Sequence, residues 1–210
     1  MKELILLGGG LDSSTLLVYL KKKKVDLYAL FFQYGQKAES GETKSVKYFC
    51  KKYKVPLKII KLPIDELATS AILRKNKKNI NNITALNCLE GRNIIFISLA
   101  STYAITIGAN KLYLGYHIEP KDKPFPDATI QAIKAFKGVL KQAYRVPLSL
   151  EVPFVKKTRY KIFKLGLVLD KEIYKKSFTC YENATKECGK CAHCKLKKEF
   201  INKIKEYVKK

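Results

Sequence analysis

Short apolar runs of strand length alternate with amphipathic segments of helix length along most of this chain of 210 residues. The runs LILL and VDLYALFFQ are rich in the branched and aromatic residues that favour strands. The segments between such runs carry apolar residues at helical spacing. The pattern predicts strands at residues 4–7, 25–33, 57–62, 111–116 and 149–153, and helices at residues 13–22, 38–53, 93–107, about 127–142, 158–169 and 195–209. We expect residues 64–90, with the polar tract RKNKKNINN, to hold a helix and a long loop.

This alternation restricts the fold class. Strands that are joined by helices pair in parallel, because each crossover helix must pack back on the sheet. We therefore expect an α/β fold, a Rossmann-like parallel sheet with helices on both faces, whose ligands bind beyond the carboxyl ends of the strands. We expect residues 1–176 to form this domain, and residues 177–210 to form a metal-binding segment and a final helix that pack on it.

Charge and hydropathy narrow the function classes. The net charge of +24 would attract polyphosphates. Arginine, the side chain preferred for bidentate phosphate and base contacts, occurs only at positions 74, 92, 145 and 159, so we expect small anionic ligands and no direct binding of nucleic acid. No apolar stretch reaches the roughly 18 residues that span a bilayer, and the segment MKELILLGGG lacks a signal-peptide pattern. These features predict a cytoplasmic protein without membrane contact.

Three glycines separate the first predicted strand from the first predicted helix, in the sequence GGGLDSST. A Walker loop requires GxxxxGK[ST], and no lysine follows the glycines at that spacing. A dinucleotide fingerprint requires GxGxxG, but Ser13 stands at the third glycine position, and the second strand ends in FFQYGQ without an acidic residue. The remaining pattern is SGGxDS[ST], a loop at which ATP is cleaved between its α- and β-phosphates. The matching residues are Gly9, Gly10, Asp12, Ser13 and Ser14.

The chemistry of this loop suits a phosphate ligand. Glycines allow close backbone approach, and amides at a helix N-terminus attract anions, with hydroxyl groups as further donors. An ordinary turn with Asp12 as the helix N-cap is the alternative. The predicted ATP-binding residues are Leu7, Gly8, Gly9, Gly10, Leu11, Asp12, Ser13, Ser14 and Thr15.

Four cysteines lie close together near the carboxyl terminus, at Cys180, Cys188, Cys191 and Cys194. Their spacing, C-x7-C-x2-C-x2-C, is typical of a tetrahedral zinc site, and four protein ligands leave no open position for chemistry. We therefore expect one structural zinc ion and treat His193 as a bystander. An iron–sulfur cluster or a disulfide pair are the alternatives.

Taken together and in order, these motifs resemble the 7-cyano-7-deazaguanine synthase family, QueC, of queuosine and archaeosine precursor biosynthesis. The segment QYGQ is similar to the family's DYGQ, and LEGRN is similar to its PGRN helix start. The segment FPDAT resembles YPDCR, and KKTRYKIFKLGL resembles the family's [ST]-K-x-E-I helix. The segment TCYENATKECGKCAHCKL resembles the family's zinc segment, so the resemblance covers nearly the whole chain.

The resemblance implies an adenine nucleotide alpha hydrolase-like fold and an ATP-dependent carbon–nitrogen ligase. The implied reaction converts 7-carboxy-7-deazaguanine and ammonia to the nitrile, through an acyl adenylate and an amide, with release of AMP and pyrophosphate. The resemblance also implies Mg²⁺ with the ATP and a homodimer. It implies catalytic roles for Asp12, Ser13 and Arg159, and substrate binding by Tyr34, Gln36, Arg92, Asn93 and Asp127. For Asn93, a helix N-cap is the alternative role.

Several positions depart from the family pattern. Gly8 stands where the pattern has serine, and Ala128 and Thr129 stand where it has cysteine and arginine. A related ligase that adenylates another carboxylic acid, or one that stops at the amide, is therefore an alternative. So is a tRNA-modifying sulfur transferase of the same fold, for which Cys50 and Cys88 are the cysteines outside the quartet. A zinc module that binds nucleic acid without catalysis is the last alternative.

Overall fold

The computed structural model describes residues 2–67, 70, 72–73, 89–117 and 126–208. Strands and helices alternate in this part of the chain, as predicted. The strands are β1 (Glu3–Leu6), β2 (Leu27–Gln33), β3 (Leu57–Lys61), β4 (Lys111–Leu114) and β5 (Ser149–Glu151). The helices are α1 (Leu11–Lys22), α2 (Glu39–Lys52), α3 (Ile64–Leu67), α4 (Arg92–Thr106), α5 (Ile130–Ala143), α6 (Arg159–Leu169), α7 (Glu172–Lys176) and α8 (Ala192–Val208), with a 3-10 turn at Pro126–Ala128.

The described strands form a parallel sheet in the order β3-β2-β1-β4-β5. At its centre, Ile5 of β1 lies opposite Ala29 of β2 and Tyr113 of β4. The chain proceeds outward from β1 to β3 on one side and from β4 to β5 on the other, so the strand order reverses beside β1. In open parallel sheets, ligands bind in the crevice at the carboxyl ends of the strands where this reversal occurs. The fold therefore directs attention to the loops that follow β1 and β4.

Both faces of the sheet are buried, as crossover helices require. On one face, Ile5 packs in a cluster that includes residues of α1, α2, α6 and α8. On the other face, Leu4 and Leu112 pack in a cluster that includes residues of α4 and α5. Phe200 of α8 lies 5.3 Å from Phe163 of α6 between ring centroids, so the carboxyl-terminal helix shares the first of these clusters. None of the helices in the described part of the chain combines the length and apolar character needed to cross a bilayer.

Some element boundaries differ from the predictions. Helix α1 begins at Leu11 with Gly10 as its N-cap, so Asp12 lies inside the first turn, and its alternative role as N-cap is wrong. Helix α5 begins after Thr129, whose hydroxyl accepts a hydrogen bond from the Ala132 amide at 3.1 Å. This cap separates α5 from the preceding 3-10 turn, whereas the prediction ran them together.

The remaining differences lie in and near the carboxyl-terminal segment and in the predicted loop. Helix α7 was not predicted, and α8 begins at Ala192, three residues before the predicted start, so Cys194 lies in its first turn. The helix expected within residues 64–90 corresponds to α3, and the tract RKNKKNINN lies outside the described residues.

Candidate functional site

The glycine turn, Gly8–Gly10, connects β1 to α1 at the point where the strand order reverses. Gly9 has a φ of +73°, and a Cβ atom there would lie 2.7 Å from the Glu42 carbonyl oxygen of α2. Ser13 closes the turn, since its Oγ accepts a hydrogen bond from the Gly8 amide at 3.2 Å and donates one to the Gly10 carbonyl at 3.3 Å. A residue other than glycine at position 9 would need both a disfavoured backbone and a displaced helix.

The loop after β4 meets the same turn. A Cβ atom on Gly115 would lie 2.9 Å from the Cα of Ser13, so the two strand ends approach each other at a glycine. The N-terminus of α1 carries no side-chain cap, which leaves its amides and the positive end of its dipole available to an anion at this edge. The crevice predicted from the topology is therefore built from backbone amides and small residues.

The hydroxyl groups of the turn are not equivalent. Ser14 and Thr15 are both 0% exposed, and Thr15 Oγ1 faces Gly166 of α6, where an added Cβ would lie 2.7 Å away. Thr15 Oγ1 therefore lies in the α1–α6 contact, and the Ser14 amide already donates a hydrogen bond to the Gly10 carbonyl at 3.1 Å. Ser13 is partly exposed.

His117, which was not among the predicted site residues, connects Asp12 to Arg159, both of which were predicted as catalytic. Arg159 Nε donates a hydrogen bond to His117 Nε2 at 2.9 Å, and His117 Nδ1 lies 3.6 Å from Asp12 Oδ2. Because Nε2 accepts, the neutral imidazole carries its proton on Nδ1, facing the carboxylate. His117 lies three residues after the end of β4, and its place beyond the carboxyl end of a strand was the sequence signal that could have identified it.

Three predicted substrate residues form a largely buried group beyond the end of β2. Arg92 Nη1 donates a hydrogen bond to the Tyr34 hydroxyl at 3.0 Å, and its guanidinium lies 5.8 Å from the Tyr34 ring centroid. Burial raises the pKa of Tyr34 above its ordinary range. Gln36 accepts from the Tyr34 amide at 2.7 Å and donates to Glu42 Oε2 at 2.9 Å. The group offers one guanidinium cation, one hydroxyl and one side-chain amide to a polar ligand.

Glu42 connects this group to the glycine turn, because its backbone packs on Gly9 and its side chain contacts Gln36. Burial raises the pKa of the Glu42 carboxyl from 4.5 to about 7, against the opposing effects of the Gln36 hydrogen bond and the Arg92 charge. Glu42 is the fourth residue of α2, and no motif in the sequence indicates it.

Asn93 and Asp127, the other two predicted substrate residues, bind each other. Asp127 Oδ2 accepts from the Asn93 amide at 3.0 Å, and Oδ1 accepts from Asn93 Nδ2 at 3.1 Å. The N-cap of α4 is Gly91, so the alternative role of Asn93 as N-cap is wrong. Asp127 acts as the capping acceptor from a distant segment and holds the start of α4 to the 3-10 turn.

The four cysteines lie in the cysteine segment, residues 177–194. Their Sγ atoms all lie within 4.8 Å of one another. A zinc ion with four sulfur ligands at about 2.3 Å places those sulfurs about 3.8 Å apart, so the donor set and its spacing fit a metal ion of this kind. Cys188 Sγ also accepts hydrogen bonds from the Cys191 and Lys190 amides at 3.3 and 3.4 Å, which suits a thiolate.

His193 lies apart from this cluster, as predicted for a bystander. Its ring contacts that of Tyr181 at a centroid distance of 4.2 Å. Burial, and after it the charge of Arg159, lowers the pKa of His193 to about 4. The cysteine segment therefore places an uncharged imidazole and a tyrosine near the group formed by Asp12, His117 and Arg159.

Comparisons with known proteins agree with this fold. A 4-thiouridine synthetase, solved in complex with RNA and bound ATP, aligns over 98% of this chain and 50% of its own, with 18% identity and a TM-score of 0.54. The NMN synthetase of Francisella tularensis aligns over 95% of this chain and 76% of its own, with 13% identity and a TM-score of 0.52. These likenesses confirm the predicted Rossmann-like, adenine nucleotide alpha hydrolase-like fold.

Relatives found by sequence indicate the family, whereas the structural likenesses indicate only the fold. The 7-cyano-7-deazaguanine synthase of Caldicellulosiruptor bescii is 32% identical over 97% of this chain and 94% of its own length. The enzyme of the same name from Caldicellulosiruptor saccharolyticus is 34% identical over 97% and 92%, and that from Methanocaldococcus jannaschii is 29% identical over 94% and 93%. The family model described as queuosine biosynthesis protein QueC matches residues 2–205. This chain, with its glycine turn at one end and its cysteine quartet at the other, therefore belongs to the QueC family.

Proposed function

We propose that this protein converts 7-carboxy-7-deazaguanine and ammonia to 7-cyano-7-deazaguanine with ATP. The carboxylate attacks the α-phosphate of ATP, which forms an acyl adenylate and releases pyrophosphate. Ammonia then displaces AMP to give the amide, with loss of a proton. A second ATP activates the amide oxygen, which leaves with AMP as the nitrile forms. Membership of the QueC family over residues 2–205 is the observation that carries this proposal.

The glycine turn is the proposed site of the leaving pyrophosphate. Amides from Gly10 to Ser13 would supply donors at the positive end of α1, because phosphoryl transfer depends chiefly on positioning and on charge neutralisation. The Ser13 hydroxyl would keep the turn in shape through its bonds to Gly8 and Gly10. Arg159 is the proposed cation for the developing phosphate charge, and its contact with His117 gives it a defined position. Asp12 would hold Mg²⁺, which shields phosphate charge when it is bound with ATP.

The group of Tyr34, Gln36 and Arg92 is the proposed binding surface for the deazaguanine substrate. It lies beyond β2, beside the β1 end that leads into the glycine turn, and it presents hydrogen-bonding groups and one guanidinium. We assign Asn93 and Asp127 an indirect part in substrate binding, because their mutual hydrogen bonds orient the start of α4, from which Arg92 projects.

The cysteine quartet is the proposed site of one structural zinc ion per chain. Thiolate ligands persist in a reducing cytoplasm, which is the proposed setting of the protein. We also propose a homodimer, and a division between residues 1–176 and 177–210, on the strength of the family resemblance. Sedimentation of the purified protein tests the dimer, and metal analysis tests the zinc.

The test of the reaction uses purified, zinc-loaded protein with ATP, an ammonium salt and 7-carboxy-7-deazaguanine. We expect two AMP per nitrile formed, measured by chromatography and mass spectrometry. Ser13→Ala is the matched variant, since it removes one hydroxyl that bonds the turn, and it should lower turnover about tenfold or more. No AMP above the background without substrate would refute the proposal.

The same assay separates the alternative ligase. Accumulation of amide alone would assign the protein to amide formation, and the replacement of the family arginine by Thr129 is the feature that favours this second candidate. In the structure Thr129 caps α5, so its side chain has a structural task. Sulfur transfer has weaker support, because Cys50 is buried in α2 and burial raises its pKa to about 12. Cys88 lies outside the described residues.

A further inference from the structure

We propose that Phe178 is a positioning residue for the glycine turn, and that the cysteine segment holds it in place when its metal is bound. The inference rests on the proposed ATP-binding role of the turn. It adds a partner outside the turn and gives the cysteine quartet a task at the nucleotide site.

A turn of three glycines needs support from outside, because glycine loses more backbone freedom on ordering than any other residue. Two donors from elsewhere in the chain bond the same carbonyl oxygen in this turn. Ser45 Oγ of α2 donates to the Gly9 oxygen at 2.7 Å, and the Phe178 amide donates to it at 2.9 Å. Two elements that are distant in sequence therefore hold one peptide group.

The orientation of that peptide group determines where the next amide points. A peptide unit is planar and trans, so the Gly10 N–H points opposite to the Gly9 carbonyl. With its oxygen held by Ser45 and Phe178, the peptide aims the Gly10 N–H away from both of them. A phosphate that binds this amide therefore depends on how firmly the oxygen on the other side is held.

The Phe178 side chain is docked on a glycine of α2. A Cβ atom on Gly41 would lie 2.5 Å from Phe178 Cδ2 and Cζ, so only glycine leaves room for the ring. The Gly41 amide also donates a hydrogen bond to the Ala184 carbonyl of the cysteine segment. Gly41 thus has a specific purpose within α2, which is to accept the cysteine segment beside the glycine turn.

The residues that flank Phe178 are tied to α8 by an ion pair. Glu187 accepts hydrogen bonds from the Thr179 amide at 2.9 Å and its hydroxyl at 2.8 Å. Lys197 of α8 donates to Glu187 at 2.9 Å and to the Ser177 carbonyl at 3.1 Å. Both neighbours of Phe178 are therefore held by one acid and one base.

The cysteine quartet restrains the same stretch of chain around Phe178. Cys180 lies two residues after Phe178, and its Sγ accepts a hydrogen bond from the Cys188 amide at 3.4 Å. A metal ion bound by the four thiolates would hold Cys180 to the start of α8. Loss of the metal would release the loop, and with it one of the two donors that orient Gly9.

The test measures nucleotide affinity by isothermal titration of zinc-loaded protein with α,β-methylene-ATP, which is not cleaved at the relevant bond. We expect chelation of the metal to weaken the affinity about tenfold, and reloading to restore it. Phe178→Ala in the loaded protein should weaken it by a similar factor while metal content stays at one ion per chain. Chelation of that variant should weaken the affinity by a smaller factor than it does in the wild type, because both changes loosen the same Phe178 amide.

Gly41→Ala is a second route to the same contact, and Gly138→Ala is its matched control. Both glycines lie inside helices, but a Cβ on Gly138 meets nothing within 4 Å. We expect Gly41→Ala to weaken nucleotide binding and Gly138→Ala to leave it unchanged. Adding Phe178→Leu to Gly41→Ala, which shortens the displaced side chain, should recover part of the affinity.

Unchanged affinity in loaded Phe178→Ala would overturn the inference, and so would losses that multiply when this substitution and chelation are combined. If far-ultraviolet circular dichroism shows that chelation unfolds the protein, the test uses the metal-loaded Phe178→Ala and Gly41→Ala proteins alone. Unchanged nucleotide affinity in these two variants would then overturn the inference. Failure of the loaded wild-type protein to bind the analogue is a different result, which would overturn the proposed function and the inference together.

Discussion

Replacing Gly9 with alanine tests whether the glycine turn has room for a side chain. The backbone at Gly9 is left-handed, with φ at +73°, and an added Cβ would lie 2.7 Å from the carbonyl oxygen of Glu42 and 3.0 Å from its Cα. Both atoms belong to the backbone of α2, so rotation of a side chain cannot relieve the contact. The turn or the helix must shift to accept the substitution.

Two costs add in this variant. A left-handed backbone costs a residue with a Cβ about 1–2 kcal/mol, and forcing a methyl group into a packed position costs about 1–3 kcal/mol. Gly9→Ala should therefore lower the free energy of unfolding by about 2–5 kcal/mol. Gly108 isolates the first cost, because its φ is +70° and nothing lies within 4 Å of its Cβ position. Gly108→Ala should lose about 1–2 kcal/mol.

Urea unfolding followed by circular dichroism measures both variants, and nucleotide titration of the folded proteins follows. We expect Gly9→Ala to be the less stable of the two and to bind nucleotide more weakly, since the Gly9–Gly10 peptide would be reoriented. Equal losses of stability in the two variants would refute the steric argument. Undiminished nucleotide binding by Gly9→Ala would refute the role given to the turn.

Other outcomes can be stated from the same contacts. Burial raises the pKa of Glu42 to about 7, so the wild-type protein should lose stability as the pH rises from about 4.5 to 7 and this carboxyl ionises. The free energy of unfolding of Glu42→Gln at pH 8 should therefore be about 1–3 kcal/mol higher than that of the wild type. Equal values from urea unfolding at pH 8 would contradict this. His117→Ala should lower kcat about fivefold or more, with metal content unchanged, because Arg159 loses an acceptor at 2.9 Å; an unaltered kcat would show that this contact is dispensable. Asp127→Ala should destabilise the protein by about 1–2 kcal/mol through loss of the bonds to Asn93, whereas Asp127→Asn, which keeps an acceptor, should lose less.

Much of the architecture was predictable because it depends on local pattern. The alternation of apolar runs and helical segments predicted each described strand to within two residues at either end and the parallel sheet that they form. Glycines at residues 8–10 and the spacing of Cys188, Cys191 and Cys194 are equally local, since a turn and a pair of closely spaced ligands are completed within a few residues. The tract RKNKKNINN lies outside the described residues, so that part of the prediction stays a prediction.

The contacts that hold the candidate site together were not predictable in the same way. For Asn93 a helix N-cap was the alternative to substrate binding, but the cap is Gly91, and the acceptor for Asn93 comes from Asp127, 34 positions along the chain. Ser14 and Thr15 carried the same motif as Ser13, yet both are buried, and Thr15 packs against Gly166 of α6. Such outcomes depend on which elements pack together, and no window of local sequence contains both partners.

The sequence alone determined which segments form the strands and the longer helices, where the chain turns through glycine and which thiols can share a metal, because each depends on residues close together in the chain. The tertiary structure decided which of these segments contact one another. It placed His117 between Asp12 and Arg159, and it brought Phe178 of the cysteine segment onto the carbonyl of Gly9. The reason is physical: a hydrogen bond or a docked ring is specified by position in space, and parallel strand order brings together residues more than a hundred positions apart.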